Sequence, residues 1–171
     1  MKLKKLTATA ILLSVSLIMS IVETLVPLQL LVPIPGVKLG FANIAVMAAV
    51  IFIDKKCAFL VVFLRSVIML MLFGNVTSFF MSLAGGIFAF SAVVFLINLY
   101  NRIFSFTGIS IICSVCHGIG QMLCACCVMK SSACLYYLPV LTVANCFTGT
   151  VTGVIMNILF KKRDTRRYDI E

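Results

Sequence analysis

Three ionisable side chains stand inside long apolar runs: Glu23, Arg65 and His117. A charge at the bilayer centre costs about 2.5 to 3.5 kcal/mol even on the lenient insertion scale, so such residues face protein or a hydrated cavity rather than lipid. Counted at 1.5 Å per residue from one side, Arg65 and His117 fall roughly 12 to 14 Å deep and Glu23 roughly 26 Å. Arg65 and Glu23 are therefore expected to lie too far apart in depth for a direct pair. Gln121 lies one helical turn outward of His117 on the same face. Gly85, Gly86 and Asn145 fall between the middle and the outer surface, and Asn43 and Lys38 near the outer end of the second helix. The set offers cations and hydrogen-bonding groups in one half of a bundle, the composition of an externally open binding pocket, with the proline-rich stretch 27–38 placed to cover it. The competing reading is that the amides and hydroxyls only join neighbouring helices.

A second pattern, Cys113-Ser114-Val115-Cys116-His117, matches the CxxCH spacing of c-type haem attachment. Attachment needs an exposed segment, whereas these residues lie in the inner half and middle of a membrane helix. Cys124, Cys126 and Cys127 bring no set of four suitably spaced ligands, so neither a metal nor another cofactor is expected.

The elements that must position these groups follow from composition. The chain is 63% hydrophobic and 11% charged, with a mean hydropathy of +1.20. Lipid is then the solvent for most of its surface. At about 20 apolar residues per crossing, 171 residues leave room for five or six spans and no soluble domain. The net charge of +9 fits basic inner loops and anionic headgroups, not nucleic acid. The eight cysteines lie mostly in apolar runs and behave as small hydrophobes. Residues 1–5 imitate a signal-peptide start, but the apolar run continues to Val26 without a cleavage site, which reads as a retained first helix.

Apolar runs against polar breaks predict an all-α integral membrane protein, a single domain of six transmembrane helices at 6–26, 39–53, 57–73, 78–99, 108–129 and 135–160, with a basic tail at 161–171. Helix 39–53 is short for a span, which suggests that residues 33–38 dip into the protein. This arrangement places Lys2, Lys4, Lys5, Lys55, Lys56, Arg102, Lys161, Lys162, Arg163, Arg166 and Arg167 on one side and only Lys38 and Lys130 on the other. The positive-inside rule then puts both termini in the cytoplasm. Tyr100, Tyr136 and Tyr137 fall at interfaces, and Gly149 with Gly153 forms a GxxxG suited to a close helix contact.

The chain resembles the Gx transporter family, whose members are also identified as heptaprenyl diphosphate synthase component I and are similar to the substrate-binding S components of energy-coupling factor (ECF) transporters. The residues that carry this are Glu23, Pro35-Gly36-Val37-Lys38-Leu39-Gly40-Phe41-Ala42-Asn43, Arg65, Ser82-Leu83-Ala84-Gly85-Gly86, His117-Gly118-Ile119-Gly120-Gln121 and Tyr136-Tyr137-Leu138-Pro139. Gly118 stands where the family pattern has Asn. The resemblance implies a bacterial multi-pass membrane protein with a six-helix fold and a substrate site at Glu23, Lys38, Asn43, Arg65, Gly85, Gly86, His117, Gln121 and Asn145.

Two functions follow. In the first, the bundle takes up a small anionic or amphipathic solute. Lys38 and Arg65 supply charge and Asn43, His117 and Gln121 hydrogen bonds. Without a nucleotide-binding motif of its own, the chain needs a coupling subunit, docked on helix 1, and partner ATPases. In the second, it is a noncatalytic membrane subunit partnering the catalytic subunit of a prenyl diphosphate synthase. Asp54, Asp164 and Asp169 form no aspartate-rich motif for magnesium diphosphate, so the chain is not expected to be an enzyme, although an Arg and Lys pocket suits a diphosphate.

Overall fold

Apolar residues dominate the chain too densely for a soluble core to hide them, and the outward faces of the helices show where they go. The computed structural model describes residues 2–25, 37–100 and 104–168. Within these, the helices are α1 (Lys2–Leu25), α2 (Asn43–Phe52), α3 (Lys55–Phe73), α4 (Val76–Leu96), α5 (Phe106–Met129) and α6 (Leu138–Tyr168). Short 3-10 turns follow α4 at Ile97–Leu99 and precede α6 at Ser132–Tyr137. All except α2 belong to stretches long and apolar enough to cross a membrane, five among the described residues. Ile11, Ile18 and Val22 on α1 and Val143, Phe147, Val154 and Ile158 on α6 are exposed. Their spacing of about one or two turns makes an apolar stripe that lipid, not water, would cover.

Local chemistry explains most boundaries. Gly74, at φ +64°, ends α3 in the left-handed conformation, its N–H donating to the Leu70 carbonyl at 2.8 Å. Asn75 then caps α4, its side chain accepting from Ser78 N–H at 3.0 Å. Ser105 caps α5 in the same way through Gly108 N–H at 3.3 Å. The stretch expected as a basic tail from 161 continues α6 as helix to Tyr168.

The helix expected over 39–53 is instead the 10-residue α2. At 1.5 Å per residue it covers about 15 Å, half of a hydrocarbon core of about 30 Å. Gly40, at φ +86°, takes a conformation that side-chain-bearing residues resist, and this breaks the helix before Asn43. What α2 lacks in length it makes up in burial. It contacts all five other helices, and Ala45, Val46, Met47, Ala48 and Ala49 are buried. A helix apolar all round belongs in an interior. Residues 37–40 before it are non-helical, with Val37, Lys38 and Gly40 buried, as the expected dip requires. Residues 33–36, with most of the proline-rich cover, lie outside the described residues.

The two longest interfaces join α5 to α4 and to α6. On α6, Gly149 and Gly153 meet α5 so closely that an added Cβ would stand 2.7 Å from Ile111 Cα and 2.6 Å from Thr107 Cα. The Ser110 and Thr152 hydroxyls, 2.7 Å apart, bond across this seam. The GxxxG is therefore a packing device, as its spacing suggests.

Candidate functional site

Backbone groups in the segment 37–42 have no ladder of their own, and buried N–H and C=O groups need partners. Side chains from three helices supply them. Glu23, near the end of α1, accepts the Phe41 N–H. Gln121 on α5 accepts the Lys38 N–H at 3.3 Å. Thr148 on α6 donates to the Leu39 carbonyl at 3.0 Å. Ser16 on α1 donates to Ala42 O at 3.4 Å. Two residues expected to bind substrate, Glu23 and Gln121, thus hold the backbone of the segment that carries Lys38. Glu23 also places its carboxylate at the start of α2, where the helix dipole favours an anion.

The same bond orients His117. Because Gln121 Oε1 accepts from Lys38, its Nε2 faces His117 Nε2 at 2.8 Å. An amide nitrogen only donates, so His117 Nε2 accepts and the ring proton belongs on Nδ1. Nδ1 faces the Gly85 backbone without reaching hydrogen-bond geometry.

Gly85 and Gly86, also expected at the site, act by being small. A Cβ at Gly85 would stand 2.8 Å from His117 Nδ1 and 2.9 Å from Gln121 Cγ. One at Gly86 would stand 2.7 Å from Val62 Cγ1 and 3.2 Å from Arg65 Nη2. The pair clears room on α4 for the side chains of α3 and α5. Gly118 does the same towards α6, since a Cβ there would collide with Asn145 Nδ2. With glycine at 118, the chain gives that space to the amide of Asn145.

Arg65 is 2% exposed and its Nε has no hydrogen-bond partner among the described residues. Arg65 and Glu23 make no ion pair in contact, yet they are close enough to attract each other electrostatically, nearer than their counted depths suggest; the ion pair formed among the described residues is Lys5–Asp54, at 3.7 Å. Lys38, in the segment before α2, is a second buried cation. Two buried cations thus stand against one buried carboxylate, itself engaged with the backbone.

Among the described residues, the buried side-chain polar atoms without hydrogen-bond partners belong to four residues: Asn43, Arg65, His117 and Asn145. All four were expected at the site from depth, and Gly40 and Gly118 tie three of them together. A Cβ at Gly40 would stand 3.0 Å from Asn43 Nδ2 and 3.1 Å from His117 Cδ2, and Gly118 adjoins both His117 and Asn145. Both amide atoms of Asn43 and of Asn145 are unpaired, so the cluster offers donors as well as acceptors. Thr148 and Ser16 were missed from the sequence, and Gly40 was noted only as part of the family motif. Thr148 carries one usable signal, since it stands three residues after Asn145, on the same face of α6.

The CxxCH cysteines lie elsewhere. Cys113 is buried in an apolar cluster with Met47, Ile109 and Met156, and Cys116 is a partly buried free thiol.

The family model for heptaprenyl diphosphate synthase component I matches residues 12–159. Neither a curated protein nor a solved structure matches the chain. The family match reaches into all six helices and takes in every residue of the cluster, from Glu23 to Asn145. The chain belongs to the heptaprenyl diphosphate synthase component I family.

Proposed function

We propose that this protein is a noncatalytic, membrane-embedded component of a heptaprenyl diphosphate synthase, holding the anionic end of an amphipathic ligand at Arg65 and Lys38. The observation that carries the reading is the Arg65 guanidinium, fully buried, with its Nε unpaired and no carboxylate against it among the described residues. A buried charge without a contact partner is unfavourable; Glu23 attracts it only from beyond ion-pair distance, and an anionic ligand would offset it directly. A diphosphate suits a guanidinium through paired charge-assisted bonds. The amides of Asn43 and Asn145 supply further donors. The chemistry of chain elongation would come from a catalytic partner subunit, since no cluster of aspartates is available here.

In this reading the bundle crosses the membrane six times, with α2 and the segment before it making the second crossing together, and both termini face the cytoplasm. Supporting it, the Lys5–Asp54 pair and the Phe52–Phe160 ring stack at 6.4 Å gather the start of α1, the α2–α3 junction and the basic end of α6 at one end of the bundle. The positive-inside rule makes that end cytoplasmic.

The second reading, uptake of a small anionic or amphipathic solute with a coupling subunit and ATPases, uses the same cluster. The observation in its favour is that the unpaired amides ask for a ligand with donors as well as acceptors.

One experiment separates the two: affinity purification from native membranes in mild detergent, with mass spectrometry of the co-purifying proteins and of the molecules released on denaturation. A prenyltransferase subunit with a prenyl diphosphate is the expected result. A coupling subunit with ATPases and a water-soluble solute would replace the synthase reading with the transport one.

A further inference from the structure

At the end of the bundle away from the Lys5–Asp54 pair, sulfur atoms converge on the turn between α5 and α6. Lys130, at φ +49°, ends α5 and reverses the chain, and Ser131 N–H donates back to the Cys126 carbonyl at 3.3 Å. The 3-10 turn Ser132–Tyr137 is thereby folded over the last turn of α5. The buried Cys134 thiol stands 3.6 Å from Met129 Sδ. Cys126, partly exposed, packs against the cluster that holds Cys134, and the two thiols are close enough to interact. Cys134 also belongs to the apolar cluster of Val37, Met81, Met122 and Leu141. It therefore shares a cluster with the residue that precedes Lys38. All eight cysteines are free thiols in this structure.

We propose that Cys126 and Cys134 form a reversible dithiol–disulfide pair that staples the end of α5 to the turn leading into α6. Two interacting thiols held across a tight turn are placed for a short-range bond, whose formation requires the Cα atoms to come within about 7 Å. The orientation proposed above puts this turn on the outer side of the membrane, where disulfides persist.

The oxidant is a small disulfide such as oxidised glutathione. The Cys126 thiolate attacks one of its sulfurs, forming a mixed disulfide and releasing one glutathione thiol. Cys134 then attacks the Cys126 sulfur of the mixed disulfide and releases the second. The two protein thiols become one S–S bond, the small disulfide becomes two thiols, and the two protein protons end on those thiols. The bond would tie the Cys134 cluster, and with it Val37, to α5.

Lys130 lies between the two cysteines, which gives a direct test. The full chain in detergent is treated with oxidised glutathione, remaining thiols are blocked with a maleimide, and the denatured protein is cut with trypsin. The expected result is that the peptides on either side of Lys130 stay joined until a reductant separates them, and that two of the eight cysteines escape blocking. In Cys126→Ser and Cys134→Ser variants the joined species should vanish. Recovery of both residues as blocked, unlinked peptides in the wild-type protein would overturn the proposal, as would a bond from either of them to a different cysteine.

Discussion

The Glu23 carboxylate, at the far end of α1, accepts the backbone N–H of Phe41 in the turn that becomes α2. Eighteen residues apart in sequence, the two make α1 the support on which the short central helix begins. Charge-assisted hydrogen bonds of this kind contribute about 1.5 to 3 kcal/mol. Glu23→Ala should therefore lower the unfolding temperature in detergent and cost roughly that amount, while Glu23→Gln, which keeps an acceptor, should cost less. Equal effects for the two variants would show that the carboxylate does not hold the turn.

Arg65 should separate binding from folding. Arg65→Ala removes the buried guanidinium and should weaken retention of a prenyl diphosphate probe by about tenfold or more, at about 1.4 kcal/mol per decade. Membrane insertion should persist. Arg65→Lys keeps the charge but loses the planar fork, and should recover only part of the affinity. Calorimetric titration with farnesyl diphosphate reads both; unchanged affinity in Arg65→Ala would remove this residue from the site.

Asn145 carries two buried, unpaired amide atoms, and an unmet buried polar group costs about 1 to 3 kcal/mol. Asn145→Leu, of similar volume, should leave the ligand-free protein as stable as before or more so, yet lower ligand affinity. A loss of stability in the ligand-free variant would mean that the amide serves packing instead.

Lys38 should add to the same attraction. Lys38→Met removes the buried ammonium and should weaken retention of the prenyl diphosphate probe, with a smaller loss in Lys38→Arg, which keeps the charge. Unchanged affinity in Lys38→Met would contradict a role for the Lys38 charge.

Orientation can be read with an impermeant thiol reagent in a background without the native cysteines. Lys130 and Lys56 are both exposed, so Lys130→Cys should be labelled from outside intact cells and Lys56→Cys should not. The reverse pattern would invert the bundle. Position 38, buried beneath its neighbours, is unsuitable as a reporter.

Much of this was legible in the residues themselves. Apolar runs located five long helices, and counting residues from their ends and from the short second helix gave the depths that grouped Asn43, Arg65, His117 and Asn145. The basic residues marked one end, and the GxxxG marked a close crossing. What hydropathy does not carry is rotation about a helix axis, or where an irregular backbone finds its partners. Only the packed structure determined that Glu23 and Gln121 turn to the segment 37–42 rather than to open space, and that Gly85 and Gly86 act by clearing room for His117 and Arg65. It also shortened the second helix, because Gly40 turns left-handed and the backbone before it is held by α1, α5 and α6. Those choices rest on contacts between residues as distant as Leu39 and Thr148, which no local pattern encodes.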